Sequence, residues 1–93
     1  MNQDLAEITV LQALSYLLED EDKINRLCME TGMDLSDLRT IDGNPQIQAG
    51  ILDFLLGHEE WLVEFCEINK ISPDTPMRIR RFFPGGAEEF YVP

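Results

Sequence analysis

The chain has one histidine, one tryptophan, two cysteines and only seven lysines and arginines among its 93 residues. Each scarcity closes off a class of function. Two cysteines build neither the dense disulfide framework of a small secreted domain nor a four-thiolate zinc site. A lone histidine leaves no imidazole pair for a metal, and only one side chain whose ordinary pKa suits general-base work near neutrality. Seven bases against eighteen acids give a formal charge of −11, which repels nucleic-acid phosphates and anionic membrane surfaces. No apolar run approaches the roughly 20 residues of a membrane span, and the opening MNQDLAEITV carries acids where a secretory leader carries Lys or Arg. The expectation is a cytoplasmic protein in a reducing compartment that binds neither nucleic acid nor membrane directly.

What is present is helical patterning. Apolar residues at 44% and charged residues at 27% match an ordinary globular chain of one small domain. From Asp4 to Glu19, the residues Leu5, Ile8, Leu11, Leu14, Leu17 and Leu18 recur at three- and four-residue steps, the spacing that gathers side chains on one helix face. EDED at Glu19–Asp22 makes a corner where Asp20 or Asp22 can cap a second helix that turns Ile24, Leu27 and Cys28 inward. Gly32 suits the left-handed end of that helix, and Asp34 with Asp37 suits the cap of a short third one over Leu35–Ile41. Asn44 and Pro45 open a fourth helix to Leu56, whose broad apolar face of Ile47, Ile51, Leu52, Phe54, Leu55 and Leu56 predicts the most buried element. A fifth helix over Glu59–Ile68 buries Leu62, Phe65 and Cys66 with Trp61 at its edge. After it, Ser72 and Pro73 suit the cap and first position of a sixth helical turn, or, because Pro76 lacks an amide, that helix starts late with Thr75 as cap and Pro76 first.

The chain also echoes itself. YLLEDEDKINRLC, from Tyr16, returns as FLLGHEEWLVEFC, from Phe54, at an offset of 38 residues. Residues 13–41 align without a gap on residues 51–79, keeping core positions, capping positions and both cysteines in register. The pattern predicts an all-α fold, a small compact bundle of five to six helices. It is organised either as two tandem helical repeats or as a bundle with incidental symmetry. A single helical domain is expected over residues 1–83, with an irregular tail over residues 84–93, where two glycines lie between prolines.

No constellation for catalysis emerges. Cys28 and Cys66 lie on apolar faces and read as small hydrophobes ahead of a redox pair. His58 beside Glu59 lacks the further donors a zinc ion needs. PGG at Pro84–Gly86 is followed by neither a helix nor a lysine, so it is no phosphate cradle. The expectation is a non-enzyme without metal or cofactor. Residues 1–77 hold 16 acids and four bases, whereas Arg78, Arg80 and Arg81 cluster with Phe82 and Phe83 close behind. Trp61, Arg78, Arg80, Arg81, Phe82, Phe83, Phe90 and Tyr91 are the residue types that anchor protein interfaces, and they are the candidate partner-binding set. For Phe82 and Phe83, plugging the end of the helical core is the favoured alternative.

LQALSYLLED at Leu11–Asp20, TGMDLSDLR at Thr31–Arg39, ILDFLLGHEEWLVEFC at Ile51–Cys66 and FFPGG at Phe82–Gly86 together resemble a family of small alphaproteobacterial proteins, domain of unknown function family 3572. The resemblance implies an α-helical protein and supplies no catalytic residues. From the broad apolar face of Ile47 to Leu56 and the clustered tail aromatics, the functional expectation is an adaptor that binds another protein, and itself as a homo-oligomer in one version, through that face and the C-terminal segment. The alternative is an acidic inhibitor that occupies the basic groove of a DNA- or RNA-binding protein through Glu19, Asp20, Glu21, Asp22, Glu59 and Glu60.

Overall fold

The computed structural model describes residues 2–85, which form six helices and no strand. They are α1 (Gln3–Leu18), α2 (Glu21–Thr31), α3 (Leu35–Arg39), α4 (Pro45–Leu56), α5 (Glu59–Asn69) and α6 (Thr75–Arg80). The fold is an all-α bundle. Polar side chains set most of the starts. Asn2 accepts from the Leu5 amide, Asp20 from the Asp22 and Lys23 amides, and Asn44 from the Ile47 amide. Asp34 and Asp37 form the reciprocal capping box that their spacing predicts. α2 ends on left-handed Gly32, at φ 79°.

α4 lies at the centre and packs against α1, α2, α5 and α6. Ile51, Leu52 and Leu55 are wholly shielded from solvent, along with Leu17, Leu27, Phe65 and Ile79 from the surrounding helices. The buried polar side chains are satisfied. Gln48 donates to the Ile41 carbonyl at 3.0 Å, and Thr9 donates to the Leu5 carbonyl at 2.9 Å.

The 38-residue offset carries over into the elements. α2 and α5 have eleven residues each and both end in a left-handed residue, Gly32 and Lys70, the latter at φ 55°. Ala13, Leu14, Tyr16 and Leu17 are buried on α1, and their counterparts Ile51, Leu52, Phe54 and Leu55 are buried on α4.

Three expectations need correction. The apolar face read along α1 is only partly internal: Leu14 and Leu17 are buried, but Leu5, Ile8, Leu11 and Leu18 are 50%, 51%, 43% and 52% exposed. The packed face is instead built from Ala6, Thr9, Val10, Ala13, Leu14, Tyr16 and Leu17, where small residues let neighbouring helices come close. α3 stops at Arg39, two residues early, because the Thr40 and Ile41 amides turn back onto the Asp37 and Leu38 carbonyls; Ile41 is buried all the same. α6 starts one residue early, with Asp74 at its cap and Thr75 in its first turn, since the Thr75 amide closes a turn onto the Ser72 carbonyl. After α6, Phe83 enters the core at 4% exposure, and Pro84 and Gly85 form a turn.

Candidate functional site

The richest side-chain cluster lies where α2 meets the start of α5. Tyr16 of α1 is buried, and its hydroxyl donates to Glu64 Oε1 of α5 at 2.5 Å. Burial, and then that carboxylate, push the phenol far above its ordinary range. Lys23 Nζ reaches Asp20 at 2.9 Å and Glu64 at 3.8 Å, while sitting 5.5 Å from the Tyr16 ring centre and 5.4 Å from that of Trp61. One ammonium thus joins two carboxylates and two aromatic faces. Its hydrogen bond to Asp20 raises the lysine pKa and lowers that of the aspartate.

Beside it, the His58 ring stacks on Trp61 with centres 4.6 Å apart and planes 16° from parallel, and Phe54 approaches the His58 ring at 4.5 Å. His58 Nε2 lies 2.9 Å from Glu30 Oε1, and Arg26 holds the other carboxylate oxygen at 3.3 Å. The His58 contact is the main reason the Glu30 carboxyl sits below its usual range. Phe54, Lys23 and Glu30 thus hold the Trp61–His58 pair from within the fold, and its outer edge is open. That edge faces an open depression of about 270 Å³ lined by His58, Glu59, Glu60 and Trp61.

The Cys66 thiol is 1% exposed and burial pushes its pKa up, which disfavours the thiolate, and Cys28 is a free thiol. Among the described residues no three His, Cys, Asp or Glu side chains come together in a way that could hold a metal ion. Nor is any described helix long and apolar enough to cross a membrane.

The sequence-derived interface set is dispersed. Trp61 is half-buried in the stack. Arg80, with a side chain only 11% exposed, donates to both carboxylate oxygens of Asp53 at 2.6 and 3.0 Å and to the Phe83 carbonyl at 3.2 Å. Phe83 is buried and Phe82 packs against the core. Arg78 is exposed beside Asp74, and Arg81 covers the Phe82 ring at 5.8 Å. Phe90 and Tyr91 lie outside the described residues. Sequence reasoning passed over Lys23, Glu30, Glu64 and Tyr16. The one available signal was the offset, since Lys23 and Trp61 occupy equivalent positions and meet each other.

No curated protein and no solved structure matches the chain. One family model does match, over residues 3–86, which takes in all six helices and the Phe82–Phe83 plug. The chain therefore belongs to the family described as protein of unknown function (DUF3572).

Proposed function

We propose that the protein is a non-catalytic cytoplasmic module, built from two copies of one helical unit, that binds another protein through a basic side chain on that partner. The observation that carries this reading is the immobilised Trp61–His58 pair opening between Glu59 and Glu60. Exposed carboxylates beside an aromatic pair take the charged head of a Lys or Arg side chain, while its alkyl stem lies along the rings. The charge distribution favours the same partner. Lys23, Arg26, Arg78 and Arg80 are each engaged by acids of the chain itself, whereas Glu59 and Glu60 are exposed and bridge to no described cation.

The test compares affinity capture by the full chain with capture by Trp61→Ala and by the double variant Glu59→Gln, Glu60→Gln, each checked for unchanged helicity. A protein retained by the parent and released by both variants supports the reading. Capture indifferent to all three changes removes it.

A second reading is favoured by one feature. The first turns of α2 and α5 present Glu21 and Asp22, and Glu59 and Glu60, at equivalent positions, all exposed. Two matched acid pairs suit an inhibitor that occupies the basic groove of a nucleic-acid-binding protein. Displacement of the captured partner by DNA, weakening steeply with salt, distinguishes that case.

A further inference from the structure

α1 carries large apolar side chains on both of its sides, interleaved on the outer one with Asp4, Glu7, Gln12 and Ser15, and only the inner side is covered. The outer arc carries Leu5, Ile8, Leu11 and Leu18, each with about half of its surface in water. The other half of the molecule shows what such a face can hold. Leu11, Ser15 and Leu18 correspond, 38 residues on, to Ala49, Asp53 and Leu56 of α4. There Ala49 is 5% exposed and Asp53 grips Arg80 through two hydrogen bonds, because α6 lies on α4 with Pro76 and Ile79 buried. In the first half the segment in α6's place is α3, which makes no substantial packing contact with α1. Ile68 and Asn69 of α5 border the arc beside Gln12, Ser15 and Glu19, and Leu5, Ile8, Leu11 and Leu18 stay about half in water.

Charge selects the occupant. Asp4 and Glu19 stand on the same arc at its two ends with Glu7 alongside, no Lys or Arg occurs before Lys23, and no described cation bridges to any of the three acids. A second copy would bring acid against acid. Residues 86–93, with Glu88 and Glu89 and no base, meet the same objection. α6 provides the template for what fits: a few apolar side chains in a row with a guanidinium beside them. A shallow depression of about 150 Å³, lined by Gln12, Ser15, Tyr16, Glu19, Ile68 and Asn69, adds a seat for one such side chain at the far end.

We propose that the outer face of α1 is a docking site for a basic amphipathic helix of another protein. The apolar side chains of that helix rest on Ile8, Leu11 and Leu18, and its terminal Lys or Arg residues pair with Asp4 and Glu19. Asp4 and Glu19 are fifteen residues apart, roughly 22 Å along a helix, so an incoming helix of about four turns spans them. The inference rests on the reading of the protein as a binding module but uses a different face, which shares only Tyr16 with the Trp61 cluster.

The test uses the full chain and a synthetic helical peptide of about four turns, with leucines on one face and arginines at both ends, beside a twin in which glutamates replace the arginines. The arginine peptide is expected to shift backbone amide resonances along Leu5–Leu18 and at Ile68, with affinity falling as salt rises, while the glutamate twin does not bind. Leu11→Asp and Ile8→Asp, both at exposed positions, each weaken binding by at least about tenfold. Met29→Asp, at an exposed apolar position on α2, leaves it unchanged. Binding that survives Leu11→Asp, or shifts centred on another face, overturns the proposal. So does a solution dimer dissociated by Leu11→Asp, or a peptide that binds only after residues 86–93 are deleted. Failure of the Trp61 and Glu59/Glu60 variants to affect partner capture bears on the first site alone.

Discussion

Replacing Phe83 by alanine tests whether the C-terminal arginine and aromatic segment is structural. Phe83 is 4% exposed and belongs to the same core as Leu52, Leu55 and Ile79. Its carbonyl receives the Arg80 guanidinium, and its amide turns back onto the Arg80 carbonyl at 3.1 Å. Removing a buried phenyl ring costs about 3–5 kcal/mol, as lost transfer energy plus a cavity. The lower end applies here, because the ring sits just past the last helix, where neighbours can partly close the gap. A chain of this length has a total stability of about 5–14 kcal/mol, so about 3 kcal/mol is a large part of it. Near the midpoint that loss corresponds to a fall in Tm of roughly 15 °C. Thermal and urea unfolding followed by far-ultraviolet circular dichroism measure it directly. Arg81→Ala, on an exposed side chain, is the control and should stay within about 0.5 kcal/mol of the parent. A Phe83→Ala protein that melts within a few degrees of the parent refutes the assignment and returns Phe83 to the set of residues available to a partner.

Tyr16→Phe should cost about 1 kcal/mol near neutrality, since the lost bond goes to a carboxylate that water can still reach. The folded pKa of Tyr16 is raised, so its contribution is full below the unfolded value of about 10 and lost above it. The parent should therefore weaken more steeply than Tyr16→Phe above about pH 10, and parallel pH profiles would count against the Glu64 contact. At the acid end, Asp20, Glu30, Asp34 and Asp74 all sit below the ordinary carboxylate range, chiefly through hydrogen bonds from Lys23, His58, Ser36 and Ser72. Depressed folded values place their stabilisation above about pH 4, to be lost as pH falls further, and a urea midpoint that stays level below about pH 4 contradicts this. Lys70→Gly should stabilise the chain by about 0.5–1 kcal/mol, because left-handed backbone penalises a side chain more than glycine's freedom costs. Lys70→Ala should bring no such gain in the same urea series.

Most of the fold could be read from local chemistry. Asp34 and Asp37, Asn44 with Pro45, and Gly32 mark helix ends through bonds made within a few residues, so no knowledge of the tertiary structure was needed to place them. The breadth of apolar residues on α4 likewise identified the central helix. α1 defeated the same method for a physical reason. A count of large aliphatics weights Leu5, Ile8, Leu11 and Leu18, but close helix packing is made by Ala6 and Ala13, whose small side chains carry little hydrophobic signal. When both arcs of a helix are apolar, periodicity states that each arc avoids water without stating which one meets this chain's own core.

The same distinction explains why the candidate sites were harder to read than the core. Lys23 and Trp61 belong to different helices and meet only because those helices pack, so no single window of sequence joins them. Arg80, conversely, looks like interface chemistry in isolation and is tied down by Asp53, 27 residues away in the chain. Residue type identified what these side chains can do, and the fold decided which of them already do it internally. Applied to the whole surface, that rule separates the two ends of the molecule. Next to α6 the apolar face of α4 has found its arginine-bearing cover within the chain, whereas the corresponding side of α1, with Ser15 in place of Asp53 and acids at both ends, keeps its leucines half in water.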